Sequence, residues 1–234
     1  MRRLTINTFL TLDGVYQAPG GPEEDPSGGF AHGGWSVNYW DDVMNEYMGA
    51  AMSEPFALLL GRRTYEIFAA HWPHVTEDVR TDRGGDAADI EDPAGRALND
   101  ATKYIASRTL DKVEWANSVL LEGDVADGVA KLKAEDGPEI QVHGSGDLIQ
   151  TLLRHNLIDR YRLWIFPVVV GPGKRLFAGG TVPAALRLVE TKTSTTGVLI
   201  ATYEPAGAIH PGSFAFEEPT EEEVQRRQRL AAEE

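Results

Sequence analysis

The stretch Leu58-Leu59-Leu60-Gly61-Arg62-Arg63-Thr64-Tyr65-Glu66 joins an apolar run to the start of a helical pattern. The run predicts a buried strand over residues 56–60, and apolar residues at i, i+3 and i+7 from Tyr65 predict a helix over residues 64–72. At this junction unpaired backbone amides, the positive end of the helix dipole and two guanidinium groups meet. The stretch therefore predicts an anion site formed by Gly61, Arg62, Arg63 and Thr64. On this stretch alone, two solvated arginines after a tight turn remain an equal alternative.

Strand and helix patterns alternate along most of the chain. Further strands are predicted at residues 4–12, 103–107, 118–121, 140–142, 161–169, 185–191 and 197–204. Further helices are predicted at residues 41–52, 125–134 and 148–156. The last two strands would form an antiparallel hairpin through residues 194–197. This order predicts an α/β fold, with a mostly parallel sheet flanked by helices and an antiparallel C-terminal edge.

Three segments fall outside this pattern. Residues 17–36 are rich in glycine, proline and acids, so we interpret them as a lid that is too polar to pack and long enough to fold over a site. Residues 74–100 carry scattered charge and few large apolar groups, and we interpret them as an insertion or mobile loop. The expected domain covers residues 1–205, followed by an acidic tail over residues 206–234.

Composition excludes several functional classes. A formal charge of −14 argues against nucleic acid or an anionic membrane as the main partner, because both favour clustered lysine and arginine. The chain has no cysteine, which excludes disulfides, thiol catalysis and Cys-ligated metal sites. His71 and His74 are separated by Pro73, which argues against a shared metal ion, so no metal site is predicted. No apolar run reaches the roughly 18 residues of a membrane helix. The cytoplasm is the expected location.

Two further segments follow predicted strands and could bind phosphate. His143-Gly144-Ser145-Gly146-Asp147 lets the backbone approach a pyrophosphate, but on this segment alone a plain strand-to-helix turn with Asp147 near the helix cap is the favoured interpretation. The segment lacks the third glycine of a Rossmann fingerprint and the flanking glycines of a nucleophile elbow. Ser107-Arg108-Thr109 offers a guanidinium between two hydroxyls, a set that could hold a 2′-phosphate and so favour NADPH over NADH. A plain surface arginine is the alternative for Arg108.

Asp41 is the carboxylate that the pattern singles out. It shares the apolar face of its predicted helix with Met44 and Met48. An inward-facing carboxylate there would have a raised pKa and could anchor or protonate a heterocycle. The alternative is an ordinary helix N-cap.

Five segments occur in the order in which a known family carries them. They are Leu12-Asp13-Gly14, Leu58 to Glu66, Ser107-Arg108-Thr109-Leu110, Gly144-Ser145-Gly146-Asp147-Leu148 and Pro167-Val168-Val169-Val170-Gly171-Pro172-Gly173-Lys174-Arg175-Leu176-Phe177. Over residues 2–204 the chain resembles the dihydrofolate reductase-like superfamily. Within it, the chain is similar to stand-alone relatives of the reductase domain of the bifunctional riboflavin-biosynthesis deaminase-reductase. The resemblance implies a dihydrofolate reductase-like sheet that binds NADPH and passes hydride to an electron-poor ring.

The resemblance also implies roles for individual residues. The phosphates would be contacted by Arg62, Arg63 and Thr64. The adenosine end would be held by Ser107 and Arg108. The pyrophosphate and nicotinamide would be approached by Gly144, Ser145, Gly146 and Asp147. The first strand would end beside the nicotinamide at Asp13 and Gly14.

The position of a substrate-binding acid stays open. Asp41 falls near the helix that carries the pterin-binding acid in dihydrofolate reductases, whereas counting back from Gly61 places that acid nearer Asn45 or Glu46. The sequence therefore predicts an NADPH-dependent reductase of a pterin, pyrimidine or similar nitrogen heterocycle, with Asp41 as its candidate catalytic residue. Because family members commonly pair, a homodimer is expected. The alternatives are a non-catalytic nucleotide-binding protein and a flavin-dependent or flavin-reducing enzyme.

Overall fold

The structure is a computed structural model that describes residues 1–75, 93–177 and 181–233. Its strands are β1 Leu4–Thr11, β2 Phe56–Gly61, β3 Thr102–Ala106, β4 Ser118–Leu120, β5 Glu139–Gly144, β6 Arg160–Phe166, β7 Leu186–Thr193 and β8 Leu199–Pro205. Its α-helices are α1 Asp42–Ser53, α2 Arg62–His71, α3 Pro93–Asp100, α4 Val125–Ala134, α5 Gly146–Arg154 and α6 Glu221–Glu233.

All eight of these strands form one sheet, in the order β4-β3-β2-β5-β1-β6-β8-β7. The pairs from β4 to β6 are parallel, and β8 pairs antiparallel with both β6 and β7. The predicted α/β class with an antiparallel C-terminal edge is confirmed. Because six neighbouring strands are parallel, their carboxyl ends meet at one edge of the sheet, which is where ligands bind in open α/β folds.

Helices cover the two faces of the sheet. Alternate side chains of β1 divide between the faces, so that Leu4 and Ile6 pack against α4 and α5, whereas Phe9 packs toward α1. The helices α2 and α3 lie over β2 and β3 on the same side as α1. Both faces of the central strands are therefore buried, as the continuous apolar run of β2 requires.

Several element boundaries differ from the prediction. Helix α2 begins at Arg62, two residues before the predicted start, because Gly61 takes the extended N-cap conformation. Strand β6 ends at Phe166, since Pro167 cannot donate to the ladder. The predicted hairpin is confirmed, with a turn in which Gly197 takes a positive φ of 87° and donates to Ser194.

The interpretation of residues 17–36 as too polar to pack is wrong. Ala18, Phe30 and Trp35 are buried in the cluster beneath α1, and Trp35 donates from its indole to the Gln17 carbonyl at 2.8 Å. A few large side chains therefore anchor a segment whose average composition is polar.

The segment 74–100 is also more ordered than predicted where the structure describes it. Residues 93–100 form α3, whose Leu98 is buried against β3 and α2. One well-placed leucine therefore outweighs the surrounding charge. The remainder of that prediction, residues 76–92, lies outside the described residues.

Lys103 is fully buried beside α3. Its ammonium donates to the carbonyls of Asn99, Ala101 and Ala116 at 2.7–3.0 Å and lies 4.2 Å from the centre of the Trp115 ring. Burial lowers the pKa of Lys103 to about 8. Three carbonyls and an aromatic face thus replace the water that a buried cation loses.

After β8 the described chain is exposed. The last helix, α6, buries none of its residues, and Phe214 and Phe216 before it are also exposed. Within the described ranges, no helix is both long and apolar enough to cross a membrane.

Candidate active site at the carboxyl edge of the sheet

A cavity of about 410 Å³ opens at the carboxyl edge of the sheet. We call the part formed by the starts of α2 and α5 the rim. The rim consists of Arg63, Thr64, Gly144, Ser145, Gly146 and Asp147. We call the part beneath α1, α2 and α3 the floor. The floor consists of Asn7, Phe9, Trp40, Met48, Met52, Phe68, Trp72, Leu98 and His143.

The rim is built by two helix starts in direct contact. Gly61 and Ser145 are the N-cap residues of α2 and α5, and neither helix start has a side-chain cap. A Cβ atom at Gly61 would overlap the Ser145 hydroxyl and lie 3.0 Å from the Ser145 amide nitrogen. Since uncapped N–H groups and two helix dipoles converge here, the rim favours an anion.

The backbone between these helix starts is bare and closely packed. A Cβ at Gly144 would lie 2.5 Å from Thr64 Oγ1, and a Cβ at Gly146 would overlap the Tyr16 hydroxyl. Gly144 also has a positive φ of 149°, and the Gly144–Ser145 peptide bond is cis. Only glycine fits both positions without a shift of its neighbours, because Thr64 and Tyr16 already occupy the space that a side chain would need.

The two neighbouring arginines are not equivalent. Arg63 lines the cavity and has no hydrogen bond or ion pair with any described residue. Arg62 points elsewhere and pairs with Glu66, with Nη1 to Oε1 at 3.0 Å. The structure therefore brings Arg63 and Thr64 together with residues 144–147, while Arg62 would need to leave Glu66 to reach a ligand.

The predicted 2′-phosphate residues lie beside this site rather than in the cavity. Gly61 pairs with Ala106 across β2 and β3, so Ser107 follows the strand next to the start of α2. The Ser107 hydroxyl accepts from the amides of Thr109 and Leu110, which shapes the turn. Arg108 is exposed. Binding of a 2′-phosphate by Ser107 and Arg108 therefore stays a prediction.

The Asp13 carboxylate holds the loop that contains Val170 and Gly171. It accepts from the Thr11 hydroxyl, the amides of Val170 and Gly171, and the Arg175 guanidinium. Burial opposes ionisation of Asp13, but these four donors outweigh it and lower the pKa to about 2. Neither Asp13 nor Gly14 lines the cavity.

The expectation that Asp41 faces inward with a raised pKa is wrong. Asp41 is the N-cap of α1 and accepts from the Met44 amide at 2.9 Å. Its second carboxylate oxygen accepts from the hydroxyl and amide of Thr195. The Thr195 hydroxyl is the main cause that lowers the pKa of Asp41. Asp41 does not line the cavity, and the alternatives Asn45 and Glu46 are exposed.

Polar groups from the segment after β1 form one wall of the cavity. Lys174 donates to Asp25 at 2.5 Å and to Ser27 at 2.8 Å, which closes residues 25–27 onto the loop before Arg175. Burial, assisted by the charges of Asp147 and Asp25, raises the pKa of Tyr16 to about 12, so its phenol keeps its proton. The wall therefore combines the protonated phenol of Tyr16 with the ion pair of Lys174 and Asp25.

The floor is mostly aromatic and apolar. Trp40 stacks on Trp164 with ring centres 5.9 Å apart and planes 9° apart, and Phe9 packs against both rings. Met48 and Met52 come from α1 and complete this surface. Such a surface can hold a planar ring and exclude water from it.

Three polar side chains lie beneath this surface on neighbouring strands. Asn7 on β1 and His143 on β5 line the cavity, and Arg162 on β6 pairs with Asn7 in the parallel register. Arg162 is only 8% exposed, yet its Nε and Nη1 have no hydrogen-bond partner among the described residues. Burial, and to a smaller degree the charge of Arg162, lowers the pKa of His143 to about 4.

Sequence reasoning missed Asn7 and His143. The signal is polar alternation in strands that are buried on both faces, with Thr5 and Asn7 in β1 and Gln141 and His143 in β5. Buried polar groups need partners, so such alternation indicates a polar site inside the fold.

A family model, described as the RibD C-terminal domain, matches residues 2–200. The chain belongs to this family. The Bacillus subtilis (strain 168) protein YyaP, described as uncharacterized, is 27% identical to this RibD C-terminal domain protein over 206 residues, which cover 86% of this chain and 94% of YyaP.

Two solved structures share the fold of this RibD C-terminal domain protein. A pyrimidine reductase-like protein from Corynebacterium diphtheriae has a TM-score of 0.54 at 13% identity, over 90% of this chain and 93% of its own. Dihydrofolate reductase from Enterococcus faecalis, solved with NADP(H), has a TM-score of 0.51 at 14% identity, over 87% of this chain and 96% of its own.

Proposed function

We propose that this protein is an NADPH-dependent reductase that transfers hydride to a pterin, a pyrimidine or a similar nitrogen heterocycle. The observation that carries the proposal is the contact between the N-cap residues Gly61 and Ser145, which brings two uncapped helix starts together beside Arg63. Membership in the RibD C-terminal domain family and the fold shared with a dihydrofolate reductase solved with NADP(H) support it.

The rim fits the pyrophosphate of a dinucleotide. Its backbone amides would bind the phosphate oxygens, and Arg63, which forms no ion pair with a described residue, would add a positive charge beside them. Arg62, once released from Glu66, and Ser107 with Arg108 would hold the adenosine end, including a 2′-phosphate.

The floor fits a planar acceptor ring. When bound, NADPH supplies the hydride, so the chain needs only to align the ring and exclude water. Trp40, Met48 and Phe9 would hold the ring against the sheet. The segment 17–36 forms a wall of the cavity through Gln17 and Asp25, and we propose that it acts as the lid.

Nucleotide titration and turnover test this proposal. Quenching of the tryptophan fluorescence of the protein by NADPH should saturate, because Trp40 lines the cavity. Steady-state oxidation of NADPH should then be measured with a panel of pterins and pyrimidines, and at least one should be turned over. Absence of saturable nucleotide binding would contradict the proposal.

A non-catalytic nucleotide-binding protein is the second candidate. It is favoured by one observation, namely that Asp41 serves as a helix cap and does not line the cavity. Tight NADPH binding without turnover of any ring in the panel would support this second function.

We also propose that two copies pair through β7. This strand is one of the two edge strands of the sheet, and its Leu186, Leu188 and Val189 are 37–49% exposed. A long apolar edge strand pairs readily with another chain. Sedimentation analysis should show a dimer for the natural protein and a monomer for Leu188→Lys.

A further inference from the structure

The orientation of the Asn7 amide is fixed by its neighbour. Trp164 Nε1 lies 2.8 Å from Asn7 Oδ1, and an indole N–H can only donate. The Asn7 oxygen is therefore the acceptor in this bond, and Nδ2 is left as a donor. Asn7 is 3% exposed and lines the cavity, and Nδ2 has no partner among the described residues. A buried donor of this kind calls for an acceptor on a bound molecule.

The tautomer of His143 is fixed in a similar way. Gln141 Nε2 donates to the Ala51 carbonyl at 3.3 Å, which turns Gln141 Oε1 toward His143 Nε2 at 3.4 Å. Because an amide oxygen can only accept, Nε2 of His143 carries the proton. With its pKa lowered to about 4, the ring is neutral at pH 7 and its Nδ1 has a free lone pair.

We propose that Asn7 and His143 form a donor and acceptor pair that recognises an amide edge, in which a C=O group stands next to an N–H group, on the molecule bound in the cavity. Asn7 Nδ2 donates to the carbonyl oxygen, and His143 Nδ1 accepts from the N–H. The two residues follow the paired residues Ile6 and Val142 on neighbouring strands, so they lie side by side. This inference rests on the proposed function and names the group that the reductase would recognise.

The positive charge of Arg162 determines whether a neutral or a protonated ring can bind to Asn7 and His143. Its buried guanidinium lies beside Asn7 and has no ion pair with any described residue. A positive charge behind the donor strengthens a bond to an electron-rich carbonyl oxygen and repels a protonated ring. A ring whose amide edge is replaced by a protonated amidine edge should therefore bind poorly.

Two fluorescent rings test the pair directly. Lumazine carries amide edges, and 2,4-diaminopteridine has the same ring system with amidine edges. The comparison is made at a pH at which the diamino ring is protonated, because a neutral amidine edge offers the same donor and acceptor as an amide edge. We expect the wild-type protein, loaded with NADPH, to bind lumazine at least roughly tenfold more tightly than 2,4-diaminopteridine. Equal affinity, a preference for the diamino ring, or no saturable binding of lumazine would rule out a substrate ring as the source of the amide edge, and would overturn the inference unless Asn7→Asp weakens NADP⁺. This comparison requires no variant.

Asn7→Asp replaces the Nδ2 donor with an acceptor oxygen and keeps the oxygen that accepts from Trp164. We expect this variant to bind lumazine at least roughly tenfold more weakly and 2,4-diaminopteridine more tightly, because the new carboxylate accepts from the amidine. The matched control is Asn156→Asp, an exposed residue after α5, which should leave both affinities unchanged. Parallel losses for both rings in Asn7→Asp would overturn the inference.

The amide edge could belong to the substrate ring or to the carboxamide of the nicotinamide. If it belongs to the substrate, Asn7→Asp shifts lumazine and leaves NADP⁺ affinity unchanged. If it belongs to the cofactor, the variant weakens NADP⁺ but leaves 2′-phospho-ADP-ribose, which has no nicotinamide, unchanged. Either result supports recognition of an amide. Loss of nucleotide binding by the wild type, with lumazine selectivity retained, would defeat the proposed reductase while the inference stands.

Discussion

The rim and the floor of the cavity are built from different parts of the chain. The rim consists of backbone amides at two glycine-led helix starts, and its close packing excludes side chains at Gly61, Gly144 and Gly146. The floor consists of side chains from β1, β5 and the segments that cover them, and its polar groups Asn7 and His143 are oriented by Trp164 and Gln141. A backbone site accepts any ligand with the right anionic group, whereas a side-chain site selects among ligands. We therefore expect general nucleotide affinity to come from the rim and substrate choice from the floor.

The largest expected effect is a pH dependence of the free energy of unfolding, which results from the burial of His143 in the floor. His143 takes up a proton near pH 4 in the folded protein and near its ordinary value of 6.5 once unfolded. Between these values the unfolded chain binds more protons, so the free energy of unfolding falls as the pH drops through this window, by up to ~3 kcal/mol. Denaturant unfolding at several pH values should show that His143→Gln loses much of this dependence. The exposed His155→Gln is the control, and equal pH slopes in the two variants would contradict the burial.

The next effect concerns the contact between the helix starts. Gly61→Ala places a methyl group against Ser145 and should separate α2 from α5, weakening NADPH by roughly thirtyfold. Fluorescence titration measures the change. Gly128→Ala in α4 is the matched control, because a Cβ there meets no atom within 4 Å. Similar affinities in the two variants would show that the rim does not depend on that contact.

A smaller expected effect concerns the affinity for the 2′-phosphate of NADPH, which Arg108 is predicted to bind. Arg108→Ala should weaken NADPH by roughly tenfold and leave NADH nearly unchanged, because a single charge-assisted contact to the 2′-phosphate is lost. Arg229→Ala in the exposed helix α6 removes the same charge away from the site. Equal losses for the two nucleotides would remove Ser107 and Arg108 from this role.

The smallest expected effect distinguishes a helix N-cap from a catalytic acid at Asp41. Asp41→Ala removes the N-cap of α1 and should lower the Tm by ~2–4 °C. Thermal unfolding gives this value, with Asp42→Ala on the exposed first turn as the comparison. A changed pH profile of turnover without a loss of stability would restore Asp41 as a catalytic group.

The sequence predicts the rim better than the floor for a physical reason. Leu58 to Glu66 and His143 to Asp147 are local segments, in which a strand, a glycine and a helix start follow one another in the chain. Asn7, His143 and Arg162 come together only through the order β5-β1-β6, which no local pattern specifies. Asp41 was misassigned because a helical wheel does not apply to an N-cap, whose backbone is extended.

The central position of β1 has a consequence during translation. Its two neighbours are β5 and β6, which begin at Glu139 and Arg160, so β1 is synthesised more than a hundred residues before either partner. Throughout that interval the apolar side chains of Leu4, Ile6 and Leu10 lack the cover that they have in the folded protein, and chaperones can bind them. A strand that is made before both of its partners is thus among the last to reach its final place.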